Sequence, residues 1–210
     1  MMAILFNHEN NFKNYLMYGK RQYMKQKNVV YEQGDIGEGF YYLDSGLIKV
    51  HTSTPLGKER VLNIVLPGQL LGVQAMDQQA HFTTATTVKD SVLYYFSYDD
   101  FKTLITLHPP ILNLITKSII QKMHILAEQI NLHTLTTEQQ IAAVLLNIYH
   151  DFKNYEIPLT QKDLATCTGL TRITVYKTLK KWKEKKLIDS KNKRFLIKNP
   201  DLLKNYLFHS

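Results

Sequence analysis

The tightest constraint on this chain is a short stretch near its carboxy terminus, Leu159 to Ile188. Two helix starts, one glycine and one apolar stripe there admit few helical arrangements. Thr160-Gln-Lys-Asp163 reads as a capping box, in which the Thr hydroxyl accepts an N–H of the first turn and the Asp reaches back to the cap. The helix it starts turns Leu164 and Ala165 inward. It stops at Gly169, four residues beyond Ala165, where a tight turn needs positive φ or a close backbone approach. Thr171 then caps a second helix, whose Val175, Leu179 and Trp182 stand at i, i+4 and i+7 and form the stripe that packs on the first. Arg172, Ile173, Tyr176, Lys177 and Lys180 fall outside that stripe, and Thr174 lies in the same first turn. Ile173 is the informative one, because at ~100° per residue it sits roughly 200° from Val175 and the core stripe does not account for it.

Charge agrees with spacing. From Thr160 to Ser210 there are 13 Lys and Arg against 4 Asp and Glu, so the whole formal charge of +8 belongs to the last quarter of the chain. Such an asymmetry is the footprint of a surface that meets a polyanion. A basic helical hairpin with a solvated face has the same charge, but not the two caps, the Ala-x-x-x-Gly spacing and the inward stripe together. The stretch therefore reads as a helix-turn-helix whose second helix enters a DNA groove, with Ile173 suited to a thymine methyl. Thr168 and Thr178 depart from the pattern by standing where larger apolar side chains are usual. Leu187 to Ser190 and Arg194 to Ile197 read as two short strands around a basic turn, a wing with Lys191 and Lys193 at its tip.

The rest of the chain is built differently. From Arg21 to Phe96 short strands alternate with turn residues and no helix intervenes, which predicts a closed β-roll or barrel able to hold one small ligand or its own side chains. Phe40 to Val50 reads as a hairpin around Asp44-Ser45-Gly46, and Lys89-Asp90 as a further turn. Ser97 caps a helix that His108-Pro109-Pro110 ends. A long helix follows from Ile111 to about His133. Its Leu112, Ile115, Ile119, Met123, Leu126 and Ile130 repeat at alternating threes and fours, a coiled-coil seam for a second copy of the chain. Leu114, Ile120 and Ile125 on its flanks point to packing on the roll as well. Leu135-Thr-Thr137 interrupts the pattern as a candidate hinge, and Glu138 to Lys153 forms another amphipathic helix.

Composition closes off several classes. A hydrophobic fraction of 44% supports packed cores. No apolar run reaches the ~20 residues of a membrane span, and the start is too short for a signal peptide, so a cytoplasmic protein with no membrane partner is expected. The single cysteine, Cys167, excludes an internal disulfide, a cysteine-ligated zinc site and a four-cysteine iron–sulfur cluster, and is expected to pack. The eight His include no His-x-His or His-x-x-x-His pair, so no metal and no cofactor is expected.

The ordered set Tyr31-Glu-Gln-Gly-Asp35, Phe40-Tyr-Tyr-Leu-x-Ser-Gly-x-Ile-Lys49, Leu66-Pro-Gly68 with Gly72, Ser97-Tyr-x-x-Phe101, Leu159-Thr160 and Thr171-Arg172-x-Thr-Val175 resembles the Crp/Fnr family of bacterial transcription regulators over nearly the whole chain. The resemblance implies an α+β fold. An amino-terminal, cupin-like β-roll of the cyclic-nucleotide-binding type would occupy 1–108, a dimerisation helix and hinge 109–136, and a winged helix-turn-helix 137–210. It further implies a homodimer on a roughly palindromic double-stranded DNA site, RNA polymerase as a possible partner, and no enzymatic activity. By the same resemblance Arg172 reads guanine, Ile173 replaces a cytosine-reading Glu, Lys177 replaces a second Arg, and Thr160, Gln161 and Thr171 occupy phosphate-contacting positions.

The cyclic-nucleotide residues do not carry over. Gly72-Val73 stands in place of Gly-Glu, His81-Phe82, or a neighbour within a residue or two given a short deletion in the loop, in place of the phosphate-binding Arg-Ser, and Leu126-Ala127 in place of the adenine-contacting Thr-Ser. Cyclic AMP is therefore not the expected effector. Val73, Gln74, His81, Phe82 and Thr83 remain candidates for a pocket that takes another small molecule, of a class the sequence leaves open. Two other functions are compatible with parts of the chain. One is a sensory module that signals through protein contacts with only weak nonspecific DNA binding, and the other is a small-barrel enzyme.

Overall fold

Two long strands carry the amino-terminal half. The computed structural model of the chain describes residues 11–57, 59–132, 134–152, 156–157, 159–191 and 194–208, and these divide into two compact units that meet within one helix, between residues 126 and 127. The first unit holds β1 (Lys20–Met24), β2 (Val29–Tyr31), β3 (Gly39–Ser53), β4 (Glu59–Val65), β5 (Leu70–Leu71) and β6 (Thr84–Ser97), then α1 (Tyr98–Leu107) and the start of α2 (Ile111–Leu132). β3 and β6 pair antiparallel from Gly39 opposite Ser97 to His51 opposite Thr84. At one end they are flanked by β5 and β1, and at the other by β4 and β2. One sheet thus folds over itself into two halves that share both long strands. The predicted closure is not made by hydrogen bonds, since the order β1-β6-β3-β4 does not return on itself among the described residues.

The predicted hairpin at Asp44-Ser45-Gly46 is a correction. Those residues are a bulged bend inside β3, and Lys89-Asp90, the other predicted turn, is the matching bend inside β6. The register slips between Leu43 and Ser45, between Ser45 and Leu47 and between Leu47 and Ile48, which lets a strand turn from one half of the roll to the other without leaving the sheet. Gly46 holds φ +104°, and a Cβ there would press on the Ser91 side chain and lie 2.6 Å from Ser91 Cα. The Leu47 N–H donates to Ser91 Oγ at 3.3 Å, and that hydroxyl donates to the Lys89 carbonyl at 2.8 Å, so a side chain replaces the ladder bond the bulge removes.

Alternation along the strands sorts two cores. Leu43, Leu71 and Leu93 face into the fold with Tyr31, Ile48, Val65 and Ala85. Their neighbours Tyr42, Leu70 and Phe96 face outward and are covered by Phe12, Phe101, Leu104, Ile111 and Ile115. Phe12 comes from a 3₁₀ helix, Asn11–Tyr18, that the sequence pattern did not announce; its ring packs edge-on to Phe96 and Phe40 and stacks on Tyr42. Ser97 caps α1 in a reciprocal box with Asp100, as expected. Ile115 is a second correction, because it is 6% exposed in the outer core rather than on a free seam. Along α2, Leu112, Ile119, Met123, Leu126 and Ile130 do form an exposed stripe.

The second unit contains the end of α2, α3 (Thr137–Phe152), β7 (Glu156–Ile157), α4 (Gln161–Thr168), α5 (Arg172–Glu184), β8 (Ile188–Lys191), β9 (Arg194–Ile197) and α6 (Pro200–Phe208). The predicted wing strands are β8 and β9, and β7 adds a third in the order β7-β9-β8. Among the described residues no helix is long and apolar enough to cross a membrane.

Replacing Gly46 by Ala is expected to destabilise the chain by about 1–3 kcal/mol, the usual cost of a non-glycine residue at such a φ, with the crowding against Ser91 placing it toward the upper end. The urea midpoint measures this, and an unchanged midpoint would contradict the account of the bend.

Candidate nucleic-acid interface

The orientation of α5 is set from its buried side. Val175, Thr178, Leu179 and Trp182 are buried where α5 packs on α3 and α4, elements whose Ile141, Ala142, Leu145 and Leu164 are buried as well, and Trp182 is fully enclosed with its ring 5.2 Å from that of Tyr206 of α6. α4 begins at the Thr160–Asp163 capping box and ends at Gly169, which adopts φ +73° in the left-handed region. The two threonines that departed from the motif pattern are both buried. Thr168 is accommodated because its hydroxyl donates to the Leu164 carbonyl at 2.8 Å, leaving a methyl for the core. Cys167 is buried on the same helix, as expected of a packing residue.

With that stripe inward, the opposite face of α5 is fixed by helical geometry. Arg172, Ile173, Tyr176, Lys177 and Lys180 are all exposed, Ile173 at 68% and Tyr176 at 52%. The charges divide by face. Lys181 donates to Glu138 of α3 at 2.6 Å, a bond that raises its pKa, and Lys183 lies 3.3 Å from Asp189 of β8. The Asp189 carboxyl is lowered by the Ser190 N–H and then by Lys183. Arg172, Lys177 and Lys180 form no ion pair among the described residues, so the cations of α5 left over are those around Ile173 and Tyr176.

The cap threonines differ. Thr171 accepts the Thr174 N–H at 3.1 Å, and the two hydroxyls are 2.8 Å apart; since one donates to the other, one O–H remains free to reach a phosphate. Thr160 is engaged in its own cap: both its N–H and its hydroxyl donate to the Asp163 carboxylate, at 2.9 and 2.7 Å, and the exposed Gln161 stands beside it. Lys191 ends β8, and Lys193, the other expected wing-tip contact, lies outside the described residues.

A separate cavity of about 60 Å³ lies in the roll unit. Gln74, Phe82 and Thr83 line it as expected, together with Tyr31, Leu62, Val65 and Leu71 of the strands and Lys122, Ile125 and Leu126 of α2. Two expected pocket residues are placed otherwise. Val73 belongs to the outer core, because the strand alternation that turns Leu71 inward is broken at Gly72, whose φ is +77°. His81 sits behind the lining, its ring stacked 4.0 Å from that of Tyr31 and its Nδ1 3.4 Å from Gln74 Nε2, and burial lowers its pKa. Gln74 Nε2 also donates to Thr83 Oγ1 at 3.2 Å and to Tyr31 Oη at 3.3 Å. Lys122 was missed in the sequence. Ile111, Ile115, Ser118, Lys122 and Ile125 stand at i, i+4, i+7, i+11 and i+14, and that spacing places a lysine on the roll-facing side of α2.

Comparison with known proteins agrees with this architecture. Residues 21–108 match the cyclic nucleotide-binding domain and residues 139–206 the Crp-like helix-turn-helix domain, together most of the chain. Regulatory protein HlyX of Actinobacillus pleuropneumoniae is 23% identical over 192 residues, covering 88% of this chain and 80% of its own. The cAMP-activated global transcriptional regulator CRP of Salmonella typhimurium is 24% identical over 180 residues, covering 81% and 86%. The fold is shared with a transcriptional regulator of the CRP/FNR family from Thermus thermophilus, at a TM-score of 0.77 and 20% identity over 90% of this chain and 98% of that one. With a folded-over roll, a helix-turn-helix capped at both starts and matches to both domains in order, the chain belongs to the Crp/Fnr family of sequence-specific, DNA-binding transcription regulators.

Proposed function

We propose that the protein regulates transcription in the cytoplasm as a homodimer, each copy laying α5 in the major groove of one half of a roughly palindromic site, without cyclic AMP. The observation that carries this reading is the division of cations on α5. Lys181 and Lys183 are held by acids of the same unit, while Arg172, Lys177 and Lys180 surround Ile173 and Tyr176 with no acid partner among the described residues. Arg172 forks to a guanine, Ile173 contacts a thymine methyl, and Lys177, Lys180 and the Thr171–Thr174 pair, with Gln161 at the start of α4, hold phosphates. Lys191 and Lys193 are assigned to the wing contact on sequence alone.

The division of labour follows the domains: roll over 1–108, helix and hinge over 109–136, DNA reading over 137–210. The exposed stripe Leu112, Ile119, Met123, Leu126 and Ile130 of α2 is the dimer seam. Independence from cyclic AMP is supported by Val73 facing the other core and by the absence of any arginine among the residues that line the cavity.

Arg172→Ala is expected to cost ~1–3 kcal/mol on a selected duplex and little on random DNA, measured by mobility shift; equal losses on both would remove base reading from Arg172. Lys177→Ala is expected to lower the slope of log affinity against log salt by about 1, whereas Lys181→Ala leaves it near that of the parent. If the two variants shift the slope equally, the acid pairing of Lys181 does not matter for DNA. Met123→Glu, at the most exposed stripe position before residue 126, is expected to turn a sedimenting dimer into a monomer, and a dimer of unchanged mass would place the seam elsewhere.

A further inference from the structure

Lys122 has no part in reading DNA, and its surroundings do not explain it as structure. Its ammonium donates to Ser118 Oγ at 2.7 Å and lies 3.5 Å from the Ser118 carbonyl, two neutral acceptors on its own helix. An ammonium carries three donors, and no carboxylate pairs with this one among the described residues. Burial pulls its pKa down to about 8. A half-buried cation without a counter-ion is disfavoured relative to an apolar side chain of the same reach. The cavity that Lys122 borders has no acid in its lining and is walled mainly by aliphatic and aromatic side chains, with Asn63, Gln74 and Thr83 as neutral polar groups.

We propose that this cavity binds a short-chain carboxylate, its anionic end against Lys122 Nζ and its alkyl end against Leu62, Val65 and Leu71. The charge requirement follows from the uncompensated ammonium, and the apolar end from the walls. Size favours a small ligand: an engineered apolar cavity of ~150 Å³ takes benzene, and this one, open to solvent on one side, holds about 60 Å³. Inorganic phosphate is the wrong anion, because aliphatic walls cannot replace the hydration of its several charged oxygens. Lys122 and Leu126 belong to α2, and Leu126 also stands on the proposed dimer seam, so a bound anion would tie that helix to the roll. The inference takes this cavity, which holds the expected pocket residues Gln74, Phe82 and Thr83, as the effector site of the proposed regulator and names the class of effector.

Titration calorimetry of the full chain with sodium acetate, sodium butyrate, butyramide and inorganic phosphate tests it, with no DNA present. Saturable binding of acetate or butyrate is expected, with butyramide and phosphate weaker by at least about tenfold, since only the carboxylates combine charge with an apolar body. Lys122→Met is expected to weaken carboxylate binding by the same factor while raising the thermal midpoint, because it removes the uncompensated charge. Lys122→Gln serves under the same binding criterion should the Met variant not fold. The proposal is overturned if neither carboxylate binds saturably, if butyramide matches butyrate, or if the folded variant keeps its affinity. Failure here would leave the Arg172 and seam results as they stand, and failure there would not change these titrations.

Discussion

The burial of Val175, Thr178, Leu179 and Trp182 is the interaction on which the DNA-binding unit depends. A helix with so many lysines has little reason of its own to present one face rather than another. The Trp182 stripe supplies it by closing the space among α3, α4 and α6, with Tyr206 against the indole. Once that side is inward, Arg172, Ile173, Tyr176, Lys177 and Lys180 must face out, and Lys181 and Lys183 fall within reach of Glu138 and Asp189. Packing therefore sorts the charges: the same core that stabilises the helix decides which cations are left for a polyanion.

In the roll the corresponding constraint is the bend shared by β3 and β6. Gly46 lets the two strands cross from one half of the sheet to the other with the Ser91 hydroxyl filling the broken ladder, and this folds Tyr31, Val65 and Leu71 over a small interior. α2 is pinned to the outside by Ile111 and Ile115, which brings Lys122 to the cavity and leaves Leu112, Ile119 and Met123 exposed. One helix thus presents a roll-facing side that borders a ligand-sized space and a free apolar side.

Much of the DNA-binding unit was legible because caps and glycines act locally. Thr160, Asp163, Gly169 and Thr171 do in the fold what their spacing promised. α6 was legible too, in Asn199-Pro200-Asp201, where the Asn199 side chain accepts the Leu202 N–H, but it went unread. The roll was harder. A glycine at positive φ beside Asp and Ser serves a hairpin turn and a strand bulge equally, and only the partner strand, distant in sequence, distinguishes them. Ile115 obeyed the seam spacing yet stands about 60° off the stripe's axis at ~100° per residue, far enough for the roll to claim it. The Thr160 capping role was visible, but not that the cap would consume both of its donors.

Selection of bound sequences from a random duplex pool tests the central claim most directly, because dimer symmetry, groove placement and the Arg172 contact all leave marks in the recovered motif. The account predicts a dyad-symmetric consensus with half-sites about one helical turn apart, each carrying an invariant guanine that is lost from the pool selected by Arg172→Ala. Recovery of no consensus, or of an asymmetric one indifferent to Arg172, would contradict it.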